Sequence, residues 1–271
     1  MKKLLTAAIA AIMSLTMLVP CMAAEESTSD TLADGIYYVE FDTDSSMFHV
    51  NETDDGKGIM VVDDGEMTVH VSLAGTGYIN VYLGLAADAK EASEKEIIQP
   101  TTDRVTYSDG LTEEVYGFNI PVPVLDEEYD VALLGKKSQE WKDHKVSVSD
   151  PEPYADAATV EDLGLEDGKY RAELIFTGGS GKAYIASPCE LEVADGEAYA
   201  TVQWSSEKYD YMLVGGEKYI PDSTEGGSTF TIPVETFNSI LEVVGDTTAM
   251  GEPHEIEYSL VFLADSVEAA E

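Results

Sequence analysis

Apolar and polar residues alternate along several short stretches of the chain. The clearest stretches place apolar side chains at every second position: Met67, Val69, Val71 and Leu73; Ala198, Ala200, Val202 and Trp204; Ile256, Tyr258, Leu260 and Phe262. This period is that of a strand with one buried face, and it places intervening residues such as His70 and Ser259 toward solvent. Asp-Gly and Gly-Gly pairs between the stretches are typical of turns between antiparallel strands. With one helical candidate, residues 86–95, the pattern predicts an all-β antiparallel sandwich.

Three sequence markers occur twice, in the same order and at similar spacings. Residues 34–37 (Asp-Gly-Ile-Tyr) are echoed by residues 167–170 (Asp-Gly-Lys-Tyr). The other two pairs are residues 64–67 with 195–198, and residues 118–122 (Phe-Asn-Ile-Pro-Val) with 230–234 (Phe-Thr-Ile-Pro-Val). The period is longer than the roughly 20–50 residues of solenoid repeats. It therefore predicts a tandem duplication of a complete globular domain.

The amino terminus has the order of a secretory signal peptide. Two lysines precede an apolar run at positions 4–19, and two alanines follow at positions 23 and 24. The run is shorter than the roughly 20 residues of a comfortable membrane span. We expect residues 1–24 to be removed and the mature protein to be secreted or held at the cell surface, without an integral membrane segment. Acylation of Cys21 is the alternative means of anchoring, which Pro20 disfavours.

The remaining chain divides by composition. Residues 149–159 form an acidic, proline-bearing stretch that predicts a linker between a first domain at residues 33–148 and a second at residues 160–265. Each domain is long enough to bury its own core. Cys189 is the one cysteine left after the signal peptide. We therefore expect no internal disulfide, and we predict that its small apolar side chain faces a core.

The net charge is strongly negative. Removing Lys2 and Lys3 with the signal lowers the 15 basic residues to 13 against 53 acidic ones, a net charge of −40. Such a surface repels nucleic acid and anionic membranes, so nucleic-acid binding is excluded from the expected functions. It also disfavours anionic small ligands unless a local pocket opposes the general field.

Several motifs that would indicate catalysis or metal binding are incomplete. Residues 178–182 (Gly-Gly-Ser-Gly-Lys) lack the glycine spacing of a phosphate-binding loop, and Ala183 replaces its metal-binding hydroxyl. Residues 51–56 begin like a calcium loop, but Val62 stands in place of the bidentate glutamate. The four histidines include no pair with local zinc-site spacing, and no serine nucleophile has identifiable partners. We therefore predict that the chain is not an enzyme.

A candidate ligand-binding segment begins at Met250. Met250, His254, Ile256 and Tyr258 share one phase of a predicted strand, and Pro253 interrupts the ladder between the first two. Thioether sulfur and imidazole nitrogen both ligate haem iron. These residues predict Met250 and His254 as iron ligands, with Ile256 and Tyr258 lining the porphyrin face. The alternative is a histidine that caps a strand and a methionine that fills a gap.

Residues 187–202 (Ser-Pro-Cys-Glu-Leu-Glu-Val-Ala-Asp-Gly-Glu-Ala-Tyr-Ala-Thr-Val) resemble a stretch of NEAT (near-iron-transporter) domains. These are haem-binding, immunoglobulin-like sandwiches of Gram-positive iron uptake. NEAT domains close with two tyrosines four residues apart before a terminal strand, and Met250 and His254 occupy those positions here; Glu140 and His144 do so in the first domain. The resemblance implies two tandem immunoglobulin-like domains, haem as ligand and other surface iron-uptake proteins as partners.

Two functions of different classes follow. The first is a secreted or cell-surface protein that binds haem or an iron compound in iron acquisition. The alternative is an adhesive or scaffolding module that binds protein or glycan without haem.

Overall fold

The computed structural model describes residues 32–93, 96–179 and 183–270, and these residues belong to one contact unit that begins at Leu32. The predicted signal peptide, residues 1–24 with Cys21, lies outside the described residues. Antiparallel strands dominate the described chain, which confirms the all-β prediction. Among the described residues, no helix is long and apolar enough to cross a membrane.

The amino-terminal half forms a nine-stranded antiparallel sheet in the order β5-β4-β8-β9-β1-β2-β3-β7-β6. Its strands are β1 (Gly35–Thr43), β2 (Lys57–Asp63), β3 (Glu66–Ser72), β4 (Tyr78–Leu83), β5 (Ile97–Ile98), β6 (Thr101–Thr106), β7 (Thr112–Pro121), β8 (Tyr129–Gly135) and β9 (Trp141–Pro153). The sheet encloses a core in which Phe48 and Phe118 are fully buried. The helix predicted at residues 86–95 is shorter, α1 (Ala86–Ala89), and it is anchored by a 2.6 Å hydrogen bond from the Ala86 amide to Asp143.

The carboxy-terminal half forms two five-stranded antiparallel sheets, β16-β13-β12-β10-β19 and β11-β18-β17-β14-β15. Its strands are β10 (Gly168–Ala172), β11 (Leu174–Gly178), β12 (Cys189–Ala194), β13 (Glu197–Gln203), β14 (Tyr209–Val214), β15 (Glu217–Tyr219), β16 (Thr229–Val234), β17 (Leu241–Thr247), β18 (His254–Phe262) and β19 (Glu268–Ala269). The sheets share one core, in which Trp204 is fully buried against Tyr209 and donates its indole N–H to Met212 Sδ at 3.2 Å. Cys189 is buried in this core, at the kind of position predicted for it.

The duplicated markers adopt matching structures. Asp64-Gly65 and Asp195-Gly196 have positive φ at both residues, as a tight two-residue hairpin turn requires. Tyr37 and Tyr170 each donate a phenolic hydrogen bond to the carbonyl four residues earlier, at 2.8 and 2.9 Å. The strand registers agree as well: Val69 faces Ile120 in the first half, and Ala200 faces Ile232 in the second.

The halves differ where the first strand of each repeat changes partners. β1 is continuous and pairs with both β2 and β9. Its pairing with β9 shifts register between Tyr38 and Glu40. The equivalent strand of the second half is interrupted at Glu173. Its first part, β10, pairs with β12, whereas its second part, β11, pairs with β18. The interruption leaves two separate sheets in the second half instead of one. In the first half, β9 continues through Pro153 into the predicted linker.

The two halves pack against each other through the outer faces of their sheets. An apolar cluster joins them, made of Ile36, Val61, Tyr154, Ile175, Val261 and Leu263. Asn119 Nδ2 donates to the Phe176 carbonyl at 2.9 Å, and Ser259 Oγ donates to Asp63. The solvent-facing prediction is therefore wrong for Ser259, which is 5% exposed, and for His70, whose side chain is 11% exposed. Both lie on faces that the other half covers, which the alternation along one strand does not reveal.

Candidate functional site

A cavity of about 600 Å³ opens where the two halves meet. We call it the interhalf cleft. Its walls include Tyr38, Asp54, Lys57, Ile59, His70, Ser72, Arg104, Thr106 and Thr112 from the first half, and Tyr154, Arg171, Glu173, Pro188, Leu263, Asp265, Ser266, Val267 and Glu268 from the segment that follows. Its volume lies within the roughly 300–1,000 Å³ of ligand pockets. Both halves are needed to form this cleft.

A cluster of polar side chains beside the cleft is assembled from three paired strands. His70 on β3 lies directly opposite Asn119 on β7, and Asp103 projects from the neighbouring β6. Gly117 makes room for Asp103, because a Cβ at position 117 would meet Asp103 Oδ2 at 1.8 Å. The Asp103 carboxylate therefore reaches across the glycine to His70 and to Ser72, whose hydroxyl donates to it at 2.9 Å.

The contacts of His70 define its charge. Nδ1 lies 2.8 Å from Asn119 Oδ1, and Nε2 lies 3.3 Å from Asp103 Oδ2. Asn119 directs its amide nitrogen to the Phe176 carbonyl, so its oxygen faces the imidazole. Both ring nitrogens therefore face acceptors, as an imidazolium requires. Burial alone would lower the pKa of His70, but the Asp103 carboxylate and the two side-chain hydrogen bonds outweigh it and raise that pKa to about 9.

Glu173 brings a second titratable group to the cleft from the other half. It occupies the interruption between β10 and β11, where its amide donates to Ser266 Oγ at 2.8 Å and its carbonyl accepts from the Leu263 amide at 3.1 Å. Burial, and then the nearby Asp103 carboxylate, raise the pKa of Glu173 to about 7. Burial also raises the pKa of Asp54. A substantial fraction of Glu173 is therefore protonated at neutral pH, and its carboxyl can then donate as well as accept hydrogen bonds.

Aromatic and cationic side chains form the rest of the walls. The Tyr38 and Tyr154 rings lie 4.5 Å apart between centroids, and Tyr154 donates its phenolic hydrogen bond to Asp265 at 2.6 Å. Arg104 and Arg171 are the two arginines of the whole sequence, and both line the cleft. Arg104 pairs with Glu268 at 2.7 Å. A second cavity of about 540 Å³ shares both arginines, Thr112 and Pro188, so the arginines stand between two adjoining spaces.

The residues predicted as haem ligands lie elsewhere. Met250 is 55% exposed in the turn after β17, and His254 is an exposed residue at the start of β18, opposite Thr247. Ile256 packs half-buried against the carboxy-terminal core. Tyr258 is 4% exposed, and its hydroxyl lies 2.8 Å from the Tyr209 hydroxyl. His254, Ile256 and Tyr258 share one phase of β18, whereas Met250 lies in the turn before the strand, and exposure falls from that turn into the core.

In the first half, the residues at the corresponding positions also have local partners. His144 Nδ1 lies 2.8 Å from Asp44 Oδ1, and Glu140 is exposed in the turn before β9. Residues 45–49 are irregular, and the Ser45 hydroxyl accepts the Phe48 amide at 3.1 Å. Within the described ranges, no group of three or more His, Cys, Asp and Glu side chains is placed to hold a metal ion.

Sequence reasoning missed the interhalf cleft. His70 and Asp103 are 33 positions apart, and they meet because three strands align and Gly117 lacks a side chain. The sequence contains one relevant signal, the scarcity of arginine. The chain has only two arginines, and the structure places both at the cleft. The comparisons with known proteins add no relative: a scan against protein-family models found no match for this chain, and a search of curated proteins found none.

Proposed function

We propose that this protein is a secreted or cell-surface, non-catalytic binding module for protein or glycan, and that the interhalf cleft is its ligand site. The observation that carries the proposal is the composition of the cleft. It gathers both arginines, two tyrosines with their rings in contact and several hydroxyl groups on a molecule of net charge −38. Convergent polar groups beside apolar and aromatic surface are the usual composition of a ligand site. Extracellular placement rests on the signal-like sequence at residues 1–24.

The polar cluster beside the cleft supports a binding role over a catalytic one. A general base needs a ring nitrogen free to take a proton, whereas both nitrogens of His70 face acceptors. The Ser72 hydroxyl donates to Asp103 and not to a base that could activate it. These groups hold each other in place, so they build a rigid wall. A pre-organised wall reduces the entropic cost of binding.

We also propose that the halves are divergent copies of one immunoglobulin-like, NEAT-related domain. The matching turns, tyrosine hydrogen bonds and strand registers support this proposal. The copies differ in their pairing, because Glu173 interrupts the strand that is continuous in the first half.

The binding role is tested by retention on immobilised ligands. The full mature chain is passed over immobilised mucin and over collagen, and Arg171→Ala is compared with Lys208→Ala. Both substitutions remove one positive charge from an exposed position, but only Arg171 lines the cleft. We expect retention on at least one matrix that Arg171→Ala lowers and Lys208→Ala preserves. Absence of retention on both matrices, or equal retention of both variants, contradicts the proposal.

Haem or iron-compound binding in iron acquisition is the second candidate. The exposed Met250 thioether and His254 imidazole favour it, since both can be approached from solvent. Ile256 and Tyr258 would contribute the apolar wall. Titration with hemin tests it directly: saturable binding with a Soret band that changes in the Met250→Ala/His254→Ala double variant supports the candidate. A wild-type chain that does not bind hemin saturably, or a double variant with an unaltered Soret band, excludes this ligand pair.

A further inference from the structure

The charges at the interhalf cleft are much closer to balance than those of the whole chain. Four cationic side chains, Lys57, His70, Arg104 and Arg171, face five acidic ones in the walls, Asp54, Asp55, Glu173, Asp265 and Glu268, and Asp103 pairs with His70. The whole chain carries 53 acidic residues against 15 lysines and arginines. A neutral ligand enters such a site without the desolvation cost of an ion. It also avoids the repulsion that the acidic surface imposes on anions.

Most of these charged groups already have partners. Arg104 is paired with Glu268 at 2.7 Å, His70 with Asp103 at 3.3 Å, and Asp265 accepts from Tyr154 at 2.6 Å. Paired groups keep further donor and acceptor atoms in fixed directions, because guanidinium has five N–H donors and a carboxylate has four lone-pair sites. Donor and acceptor atoms held side by side in the cleft can bind the neighbouring hydroxyl groups of a ligand, because each hydroxyl both donates and accepts a hydrogen bond.

The aromatic wall completes the match. Tyr38 is half-buried; the Tyr154 ring contacts it at a 50° tilt, and the Lys57 ammonium lies 5.9 Å from the Tyr38 ring centroid. A sugar ring has an apolar face of C–H groups and an edge of hydroxyls, so it needs an aromatic surface beside a polar one. Ile59 and Pro188 extend the apolar part of the same cavity.

We propose that the interhalf cleft binds a neutral oligosaccharide, with a sugar ring against Tyr38 and hydroxyls toward Arg171 and Glu173. The inference rests on the proposed binding function and names its ligand class. A polypeptide is the alternative class of ligand, and the experiment below distinguishes it from a saccharide. The mixed charge of the cleft favours the saccharide, because a peptide would have to desolvate its own charges and backbone amides there.

The test uses the mature chain and a panel of neutral oligosaccharides cut from glucan, mannan, xylan and galactan, with oligogalacturonates as the anionic comparison. Binding is measured by isothermal titration calorimetry. We expect saturable binding of at least one neutral member and at least tenfold weaker binding by Arg171→Ala, which is about 1.4 kcal/mol. Tyr38→Ala is expected to weaken it similarly. The controls are Lys208→Ala and Tyr184→Ala, two exposed positions that do not line the cleft.

Three results would overturn the inference: binding of oligogalacturonates alone, no binding of any neutral oligosaccharide, or neutral binding that Arg171→Ala and Tyr38→Ala leave unchanged. Arg171 is exposed, so its variant is informative even if Tyr38→Ala fails to fold. Mucin before and after enzymatic removal of its glycans separates the two proposals. Arg171-dependent retention that survives glycan removal leaves the binding function intact and overturns the saccharide inference, whereas retention on desialylated, desulfated mucin that is lost with the glycans supports both.

Discussion

Asp103→Asn is the most direct perturbation of the buried His70–Asp103 ion pair, which lies within the first half. Asp103 is 3% exposed, and it accepts from Ser72 and from Thr101, the latter at 2.7 Å, while facing the His70 imidazolium. The asparagine keeps the shape and removes the charge. His70 is left buried with one fewer acceptor and no counter-charge, which should bring its pKa down to its ordinary value or lower.

The magnitude follows from the proton that His70 holds. Its pKa is about 9 in the folded protein, against about 6.5 in an unfolded chain. Because the folded-state pKa is the higher one, the stabilisation is fully present below about pH 6.5 and is lost as the pH rises through about 9. The difference corresponds to about 3 kcal/mol, which agrees with the roughly 3–5 kcal/mol for breaking a buried ion pair.

Urea unfolding of the mature chain measures this effect. We expect Asp103→Asn to reduce the free energy of unfolding by about 3 kcal/mol near pH 6 and by much less above about pH 9. Asp130→Asn is the matched control, since it breaks the exposed Lys145–Asp130 pair at 3.1 Å and should cost less than about 1 kcal/mol. An equal cost of Asp103→Asn at both pH values would refute the reasoning. So would a His70 resonance that titrates near its ordinary pKa in the wild type.

Three further predictions concern the core, the pH dependence and the contact between halves. Trp204→Ala empties a fully buried site and should cost roughly 3–5 kcal/mol in urea unfolding; a loss below about 1 kcal/mol contradicts the packing. Burial and a hydrogen bond with Asp210 raise the pKa of Asp246 to about 6, so its carboxylate destabilises the fold as the pH rises toward neutral. Asp246→Asn should raise the melting temperature near neutral pH, and a lower value would exclude this assignment. The fragment 160–271 should unfold cooperatively yet bind a hydrophobic dye through the uncovered Ile175 and Val261; lack of a cooperative transition would show that the halves do not fold independently.

The local structure was largely predictable because it depends on neighbours in the sequence. Strand alternation identified the buried faces of β3, β13 and β18, and the Asp-Gly pairs identified the turns before β3 and β13. The cleft depends on contacts between distant segments. The alternation along β3 predicted His70 to face solvent, but the second half packs on that face. Alternation reports which side of a strand is apolar, and it does not report what packs on the polar side.

A comparison of the two repeats indicates which strand face is covered by the other half. If residues 64–65 are aligned with 195–196, the interface residues Ile59 and Val61 correspond to Glu190 and Glu192, and His70 corresponds to Thr201. Both glutamates are exposed. Apolar residues on the outer face of one copy, replaced by charges in the other, indicate that only the first copy's face is covered. On the equivalent face of the second half, Glu190 and Glu192 lie directly opposite Arg171 and Lys169 of β10, so that face carries charges of both signs. The apolar outer face of the first copy therefore forms the contact between the halves, and the equivalent strands of the second copy do not reproduce that apolar face.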